Sequence, residues 1–164
     1  MHNSYVSLRE DDWKVVLDKV KELPKKEMSR AMSGLGKCLL ELNRLEELDE
    51  LLNQLEEELK NSNEIKELME AKKFFSNILE LSKKELENFD DKDGFENKLK
   101  SSRKLILERN YDDAIEGYLF IIEKNPKWND GVPKNELLSL FSFLGNNNNI
   151  AINGRSRLLN ILYK

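Results

Sequence analysis

The sequence contains very little cysteine, histidine, proline or glycine. Its 164 residues include one Cys, one His, three Pro and seven Gly. A single thiol, Cys38, cannot form an internal disulfide, a Cys-x-x-Cys redox pair or a thiolate-rich metal site, and its apolar helical context predicts a small buried side chain. His2 has no second histidine or catalytic cysteine as a partner. The sequence therefore indicates no catalytic residue, no metal site and no cofactor, and we do not expect an enzyme.

Long apolar runs and a surface charge of one sign are also absent. No stretch approaches the ~20 apolar residues that a membrane-spanning helix needs, and no signal peptide opens the chain. Acidic and basic residues are interleaved and give a net charge of −4, so no concentrated basic face is available for nucleic acid or for an anionic membrane. These features favour an intracellular protein of a reduced compartment, cytoplasmic or organellar, unless an upstream targeting segment has been removed.

The residues that are abundant favour helices. Leu, Glu and Lys lose little rotamer freedom in a helix, and apolar residues recur three and four positions apart, whereas no segment alternates with the period of a half-buried strand. The predicted fold is all-α, an array of about seven to eight antiparallel helices. The predicted ranges are 11–23 (with Trp13, Val16, Leu17 and Val20 on one stripe), 27–42, 45–55, 62–86, 95–108, 111–124, 132–144 and 150–162.

The pattern predicts two parts joined by a polar segment. Residues 1–87 form degenerate N-terminal hairpins, 88–94 is an Asp-rich flexible joint, and 95–164 is a C-terminal hairpin followed by two closing helices, all within one continuous helical domain. Ser62 or Asn63 can cap the long fourth helix. Gly145 is well suited to end the helix that Val132 opens.

An internal sequence similarity at a spacing of 66 residues favours a repeat architecture. Leu45 and Tyr111 both open the second helix of a hairpin and lie 66 residues apart, about twice the ~34-residue tetratricopeptide period. In the later hairpin the small, apolar, aromatic and proline positions of that repeat are filled by Ser102, Leu105, Tyr111, Ala114, Tyr118 and Pro126. In the earlier hairpin Gly36 matches Ser102, but Leu48 replaces the expected alanine, so this repeat is degenerate.

Three segments, 109–115, 121–130 and 134–145, together with the closing Arg155-Ser156-Arg157-Leu158-Leu159, resemble the C-terminal tetratricopeptide-like domain of YbbN-type thioredoxins, also called chaperedoxins. The resemblance implies a non-catalytic protein-interaction domain of a thioredoxin-like co-chaperone. Its implied partners are unfolded client proteins and Hsp70- or chaperonin-type chaperones.

The sequence departs from this family in two ways. It has no thioredoxin domain and no redox Cys motif, so it is either a fragment of a longer protein or a chain that has lost that domain. Any thiol–disulfide activity would then belong to the parent protein. The Asn-rich segment 146–149 also lengthens a loop that is compact in the family.

Five residues are candidates for partner binding: Lys98, Arg103, Lys104, Phe120 and Phe143. The three cations could receive an acidic peptide tail, although a solvated basic face is the preferred interpretation. Phe120 and Phe143 lie off the main apolar stripes, so we expect them to be exposed or to fill a helix–helix seam. Tyr118, Trp128 and Phe141 are instead expected in the core.

A structural role is the alternative function. The chain could self-associate as a homodimer through the long helix Ile65–Leu86 or the amphipathic first helix, without chaperone activity. Such a module would have a large, stable self-interface and would not bind clients.

Overall fold

The structure, a computed structural model, describes residues 12–84 and 94–164. Within these ranges it contains nine α-helices, a short 3₁₀ helix and no strand, so the predicted all-α fold is confirmed. The helices are α1 (Asp12–Val20), α2 (Lys25–Glu41), α3 (Leu45–Asn53), α4 (Glu57–Lys60), α5 (Asn63–Lys84), α6 (Phe95–Leu107), α7 (Tyr111–Lys124), α8 (Val132–Leu144) and α9 (Asn149–Leu162), with the 3₁₀ helix at Trp128–Gly131.

The chain divides into two compact units, Met1–Lys72 and Lys73–Lys164. The boundary falls inside α5, so the two halves of this helix belong to different units. Residues 85–93, which include most of the predicted joint at 88–94, lie outside the described residues. Gly94, the last residue of that segment, has a φ of +71°, a left-handed conformation that glycine adopts without steric cost.

The first unit has its core between α1, α2, α3 and the first half of α5. Trp13 of α1 is fully buried, whereas Val16, predicted on the same stripe, is 41% exposed. Gly36 allows α2 to pack closely, since a Cβ at this position would lie 2.3 Å from Cδ2 of Leu68 and 3.2 Å from Cδ1 of Leu48. The placement of Val16 in the apolar stripe is therefore wrong, because α1 buries a narrower face than its sequence suggests.

The second unit is built on the hairpin α6–α7, against which α8 and α9 pack. Tyr118 and Phe141 are buried in its core, as predicted. Gly154 lets α9 approach α8 closely, because a Cβ there would lie 2.5 Å from Cε1 of Phe141. Trp128 is only partly buried and lies in the 3₁₀ helix, so its assignment to the core is wrong.

The two hairpins turn in the same way. Asn43, between α2 and α3, and Arg109, between α6 and α7, have φ values of +57° and +63° and lie 66 positions apart. In each turn the next amide donates a hydrogen bond to the carbonyl five residues earlier: Arg44 to Leu39 at 2.9 Å, and Asn110 to Leu105 at 2.8 Å. This is the hydrogen bond of a Schellman-type helix end. The internal sequence similarity at a spacing of 66 residues therefore corresponds to a repeat in the backbone.

Most helix boundaries agree with the sequence pattern. The range predicted for α7, 111–124, is confirmed, and the amide of Ile65 donates to Oγ of Ser62 at 3.4 Å, which confirms Ser62 as a cap of α5. Gly145 has a φ of +88° at the end of α8, as its predicted role requires. The described residues contain nine α-helices against about seven to eight predicted, and the additional one is the four-residue α4.

Candidate functional site

Helices α6 and α7 pack most closely where both carry small residues. Ser102 on α6 is buried against Gly117 on α7, and a Cβ added to Gly117 would lie 2.0 Å from Oγ of Ser102. The Ser102 hydroxyl donates a hydrogen bond to the carbonyl of Lys98 at 2.9 Å. Ala114, one turn before Gly117, is also buried. Only small side chains fit at this contact.

A groove of about 380 Å³ runs along the solvent side of this contact. Because α6 and α7 are antiparallel, Lys98 and Phe120 lie at one end of the groove, and Leu105 and Asp113 lie at the other. Most lining side chains outside the small-residue contact are exposed. The complete lining is Lys98, Ser101, Ser102 and Leu105 from α6, and Asp113, Glu116, Gly117 and Phe120 from α7.

The first end of the groove is aromatic and cationic. The ring of Phe120 is 43% exposed, and Nζ of Lys98 lies 5.1 Å from its centroid, within the range of a cation–π contact. Phe95 contacts Phe120 edge-on, with the ring centroids 6.4 Å apart, and its centroid lies 5.7 Å from that of Trp128. These contacts support the Phe120 ring from one side and leave an apolar surface open to water.

The opposite end and the middle of the groove carry carboxylates. Asp113 accepts a hydrogen bond from Nδ2 of Asn110 at 2.8 Å, and its amide donates to Oδ1 of the same cap residue at 3.4 Å. Glu116 accepts two hydrogen bonds from Arg157 of α9, one of them at 2.9 Å. The hydrogen bonding from Arg157 lowers the pKa of Glu116 below its usual 4.5. Lys98 and Asp113 therefore place opposite charges at the two ends of the groove, and the charge of Glu116 between them is balanced by Arg157.

Behind the groove lies a buried polar network. Arg103 of α6 is 3% exposed and donates to Glu136 of α8 through Nε, at 3.1 and 3.2 Å, and through Nη2, at 2.5 Å. The hydroxyl of Tyr118 donates to the same carboxylate at 2.8 Å. Burial, together with the adjacent carboxylate, raises the pKa of Tyr118 well above 10. The network connects α6, α7 and α8 and is a structural feature of the second unit.

A second aromatic cluster lies at the other end of the hairpin. Phe143 of α8 stacks on Phe74 at a centroid distance of 5.1 Å and contacts Phe75 edge-on at 4.9 Å. The guanidinium of Arg109 lies 4.0 Å from the Phe75 centroid, and Tyr111 is 5.9 Å from Phe143. Phe143 thus fills a seam between helices of the second unit, one of the two environments expected for it.

The five candidate residues do not form one surface. Lys98 and Phe120 come together in the groove, whereas Phe143 lies in the separate aromatic cluster. Lys104 is exposed, with Nζ 3.8 Å from the carboxylate of Glu108. Arg103 is buried, so its assignment to a solvated basic face is wrong, because its partner Glu136 is remote in sequence.

Three further polar residues of the groove are not predicted from the sequence. Ser101, Asp113 and Glu116 have no local pattern that distinguishes them from ordinary solvated residues. The available signal is the repeat at a spacing of 66 residues, which aligns each of these three residues with a residue of the first hairpin. That comparison requires knowing what covers the first hairpin, which only the structure provides.

Other classes of site find no support in the described ranges. Cys38 is partly exposed rather than buried as predicted. Within residues 12–84 and 94–164, no group of three or more His, Cys, Asp or Glu side chains is arranged to hold a metal ion. Of the helices described, none combines the length and the apolar character needed to cross a bilayer.

Comparison with known proteins agrees with the fold. A family model described as tetratricopeptide repeat matches residues 76–163, which include α6, α7, α8 and α9. No curated protein and no solved structure matches the chain. Because the matched region is more than half of the sequence, the chain belongs to the tetratricopeptide repeat family.

Proposed function

We propose that this chain is a protein-interaction module and that the groove between α6 and α7 binds a segment of another protein. Tetratricopeptide repeats generally mediate protein–protein interaction and are generally non-catalytic. The observation that carries the proposal is the exposed ring of Phe120 at one end of a groove with charges of both signs. An aromatic anchor beside a polar rim is the usual composition of a protein-binding surface.

The two kinds of lining have different roles in this proposal. The Phe120 ring and the Leu105 side chain would provide affinity, because apolar area removed from water contributes about 25 cal/mol per Å². Lys98 and Asp113 would provide selectivity, because a partner with the wrong charges would bring like charges together. The packed hairpin keeps the groove formed in the absence of a ligand, which lowers the ordering cost of binding.

We further propose that the bound proteins are unfolded clients or chaperones of the Hsp70 or chaperonin type. The support is the resemblance of segments 109–115, 121–130 and 134–145 to the C-terminal domain of YbbN-type thioredoxins. An exposed apolar ring suits client capture, because unfolded chains present apolar segments. A redox activity would lie in a thioredoxin domain that is not part of these 164 residues.

Aggregation of a heat-denatured client enzyme, followed by light scattering, tests this function. We expect the wild-type chain to suppress aggregation and Phe120→Ser to suppress it less. Leu159→Ser is the matched control, because Leu159 is also apolar and exposed, at 54%, but lies on α9 outside the groove. Equal losses in both variants would show that binding does not depend on the groove. No suppression by the wild-type chain would refute the client-binding role.

Self-association through α1 is a second candidate function. Its outer face exposes Val15 by 59% and Val16 by 41%. The other helix considered for dimerisation, α5, is less suitable, because Ile65 and Leu68 are already buried within the first unit. Multi-angle light scattering over a range of concentrations distinguishes the roles: a dimer that Val15→Lys dissociates would favour the structural role, and a monomer at all concentrations would exclude it.

A further inference from the structure

We infer that the occupant of the α6–α7 groove is an amphipathic helix of a partner protein, lying along the groove in the way that α1 lies along the first hairpin. The inferred helix has a basic residue near its N-terminus and an acidic residue near its C-terminus. This inference rests on the proposed function and specifies the chemistry of its partner.

The first hairpin shows what occupies the equivalent position. Helix α1 packs against α2. Lys14 of α1 also reaches α3, and Lys21, the residue after α1, reaches Gln54, the residue after α3. Nζ of Lys14 lies 4.0 Å from a carboxylate oxygen of Glu50, and Nζ of Lys21 donates to Oε1 of Gln54 at 3.4 Å. Shifted by 66 positions, Glu50 and Gln54 correspond to Glu116 and Phe120, two of the residues that line the later groove.

The correspondence extends to the other wall. The α6 residues Ser101, Ser102 and Leu105 are equivalent to Leu35, Gly36 and Leu39 of α2. Leu35 and Leu39 are buried, Gly36 packs against Leu48 of α3 and Leu68 of α5, and the two hairpins share their turn geometry. The later groove is therefore the counterpart of a surface that a helix covers in the first unit, while its own Ser101 and Phe120 remain exposed.

The charges of the groove fix the direction of the helix. Because Lys14 contacts Glu50 and Lys21 contacts Gln54, α1 runs in the same direction as α3. A helix placed in this way on the later hairpin has its N-terminus near Asp113 and its C-terminus near Lys98. The helix dipole is positive at the N-terminus and negative at the C-terminus, so both ends face a charge of opposite sign. The direction of α1 relative to α3 and the charges at the two ends of the groove thus indicate the same orientation for the bound helix.

The composition of the groove favours a partner over a second copy of this chain. The apolar Met32 and Leu35 of the first hairpin are replaced by Lys98 and Ser101, which suits reversible binding to a more polar helix. The α1 of another copy would bring Lys21 towards Lys98, a repulsive pair. Its Trp13 is also buried within its own unit.

Two synthetic peptides of about 14 residues, or four helical turns, test the inference. Both carry apolar residues at the spacing of Trp13, Leu17 and Val20. The first has a lysine in its first turn and a glutamate in its last, and the second has these charges exchanged. Fluorescence anisotropy with the full chain should show the first peptide binding about tenfold more tightly. Lys98→Glu should remove or invert this preference.

Matched variants and cross-linking separate the outcomes. Phe120→Ser should weaken binding of the first peptide, and Gln54→Ser, its counterpart in the covered hairpin, should not. In a Cys38→Ser background, a cysteine at the peptide's N-terminus should form a disulfide with Asp112→Cys and not with Asn97→Cys. Equal affinity for both peptides, or cross-linking in the reverse orientation, would overturn the inference. If neither peptide binds while client protection still depends on Phe120, the helical occupant is refuted and the proposed function stands.

Discussion

At the scale of single residues, the partly buried carboxylate of Glu136 links three helices. It accepts hydrogen bonds from Arg103 of α6 and Tyr118 of α7 while belonging itself to α8. A buried ion pair adds little net stability compared with an apolar replacement, but removing one partner leaves the other charge uncompensated. The network is therefore most sensitive to single substitutions.

The first prediction concerns truncation of this carboxylate. Glu136→Ala should lower the free energy of unfolding by about 3–5 kcal/mol, because Arg103 would remain buried without its counter-charge. Lys104→Ala is the control and should change it by less than about 0.5 kcal/mol, since its ion pair with Glu108 is exposed. Urea unfolding followed by circular dichroism measures both values. Similar small losses in both variants would show that the pair does not hold the helices together.

The second prediction concerns alkaline pH. Burial raises the pKa of Tyr118 well above 10 in the folded chain, whereas in the unfolded chain this tyrosine ionises near 10. Above pH 10 the unfolded state thus binds fewer protons, so stability falls as pH rises, by up to about 1.4 kcal/mol per pH unit from this group.

Tyr118→Phe isolates this contribution. Urea unfolding at pH 8 and pH 11 should show a larger loss of stability in the wild-type chain than in Tyr118→Phe, by about 1 kcal/mol. The titration of lysines and other tyrosines affects both proteins and cancels in the difference. Parallel losses would indicate that Tyr118 titrates normally in the folded chain.

Individual residue environments were the hardest feature to predict from the sequence. The helical spacing of Tyr118 and Phe141 is local information, so their burial in the core can be predicted from the sequence. Arg103 was placed on a solvated face because the residue that neutralises it, Glu136, lies on α8, 33 positions away. Ion pairs between helices leave no trace in the periodicity of either helix.

At the scale of elements, the contact between α6 and α7 is determined by Gly117. A Cβ at this position would lie 2.0 Å from Oγ and 3.3 Å from Cβ of Ser102. The serine could rotate away only by giving up its hydrogen bond to Lys98, and its Cβ would remain close. The two helices would therefore have to separate.

The third prediction follows from this contact. Gly117→Ala should destabilise the chain by about 1–3 kcal/mol through overpacking. Gly34 lies on α2 where an added Cβ would meet no neighbouring atom within 4 Å. Gly34→Ala should therefore stabilise the chain by up to about 1 kcal/mol through helix propensity. Thermal or urea unfolding distinguishes the two signs. The double variant Gly117→Ala with Ser102→Gly should recover part of the loss, and an equal loss in single and double variants would rule out the contact as its cause.

Helix boundaries were predicted well where local signals mark them. Asn110 caps α7 through the amide of Asp113, and Gly145 ends α8, so both limits could be identified from residue type. The four-residue α4 and the 3₁₀ helix at Trp128–Gly131 were missed. Asn129 and Asp130 adopt left-handed conformations, with φ of +49° and +53°, which the apolar pattern does not encode.

At the scale of the whole molecule, the repeat explains why the groove was only partly predicted. Lys98 and Phe120 were identified as candidates because a cation and an aromatic residue off the apolar stripes are conspicuous. The remaining walls depend on how closely α6 and α7 approach, which is a tertiary property. The repeat is visible in the sequence as Leu45 and Tyr111 at a spacing of 66 residues, but its functional meaning depends on the packing of α1 against the first hairpin, which the sequence does not show.

The division into two units leads to the last prediction. The fragment 70–164 contains the unit Lys73–Lys164 and the residues matched by the tetratricopeptide repeat model, so it should fold alone, with helical circular dichroism and a cooperative unfolding transition. The fragment 95–164 lacks Phe75 and Ile78, which are buried in the described structure. Loss of two large buried side chains costs about 5–10 kcal/mol, comparable to the total stability of a small domain.

We therefore expect fragment 95–164 to be much less stable than fragment 70–164, or unfolded. The substitution Phe75→Ala in the longer fragment isolates part of this effect, since it also removes the ring contacts with Arg109 and Phe143. It should lower stability by about 3–5 kcal/mol. Equal stability of the two fragments would mean that the second half of α5 is dispensable and that the hairpin α6–α7 with α8 and α9 is the folding unit.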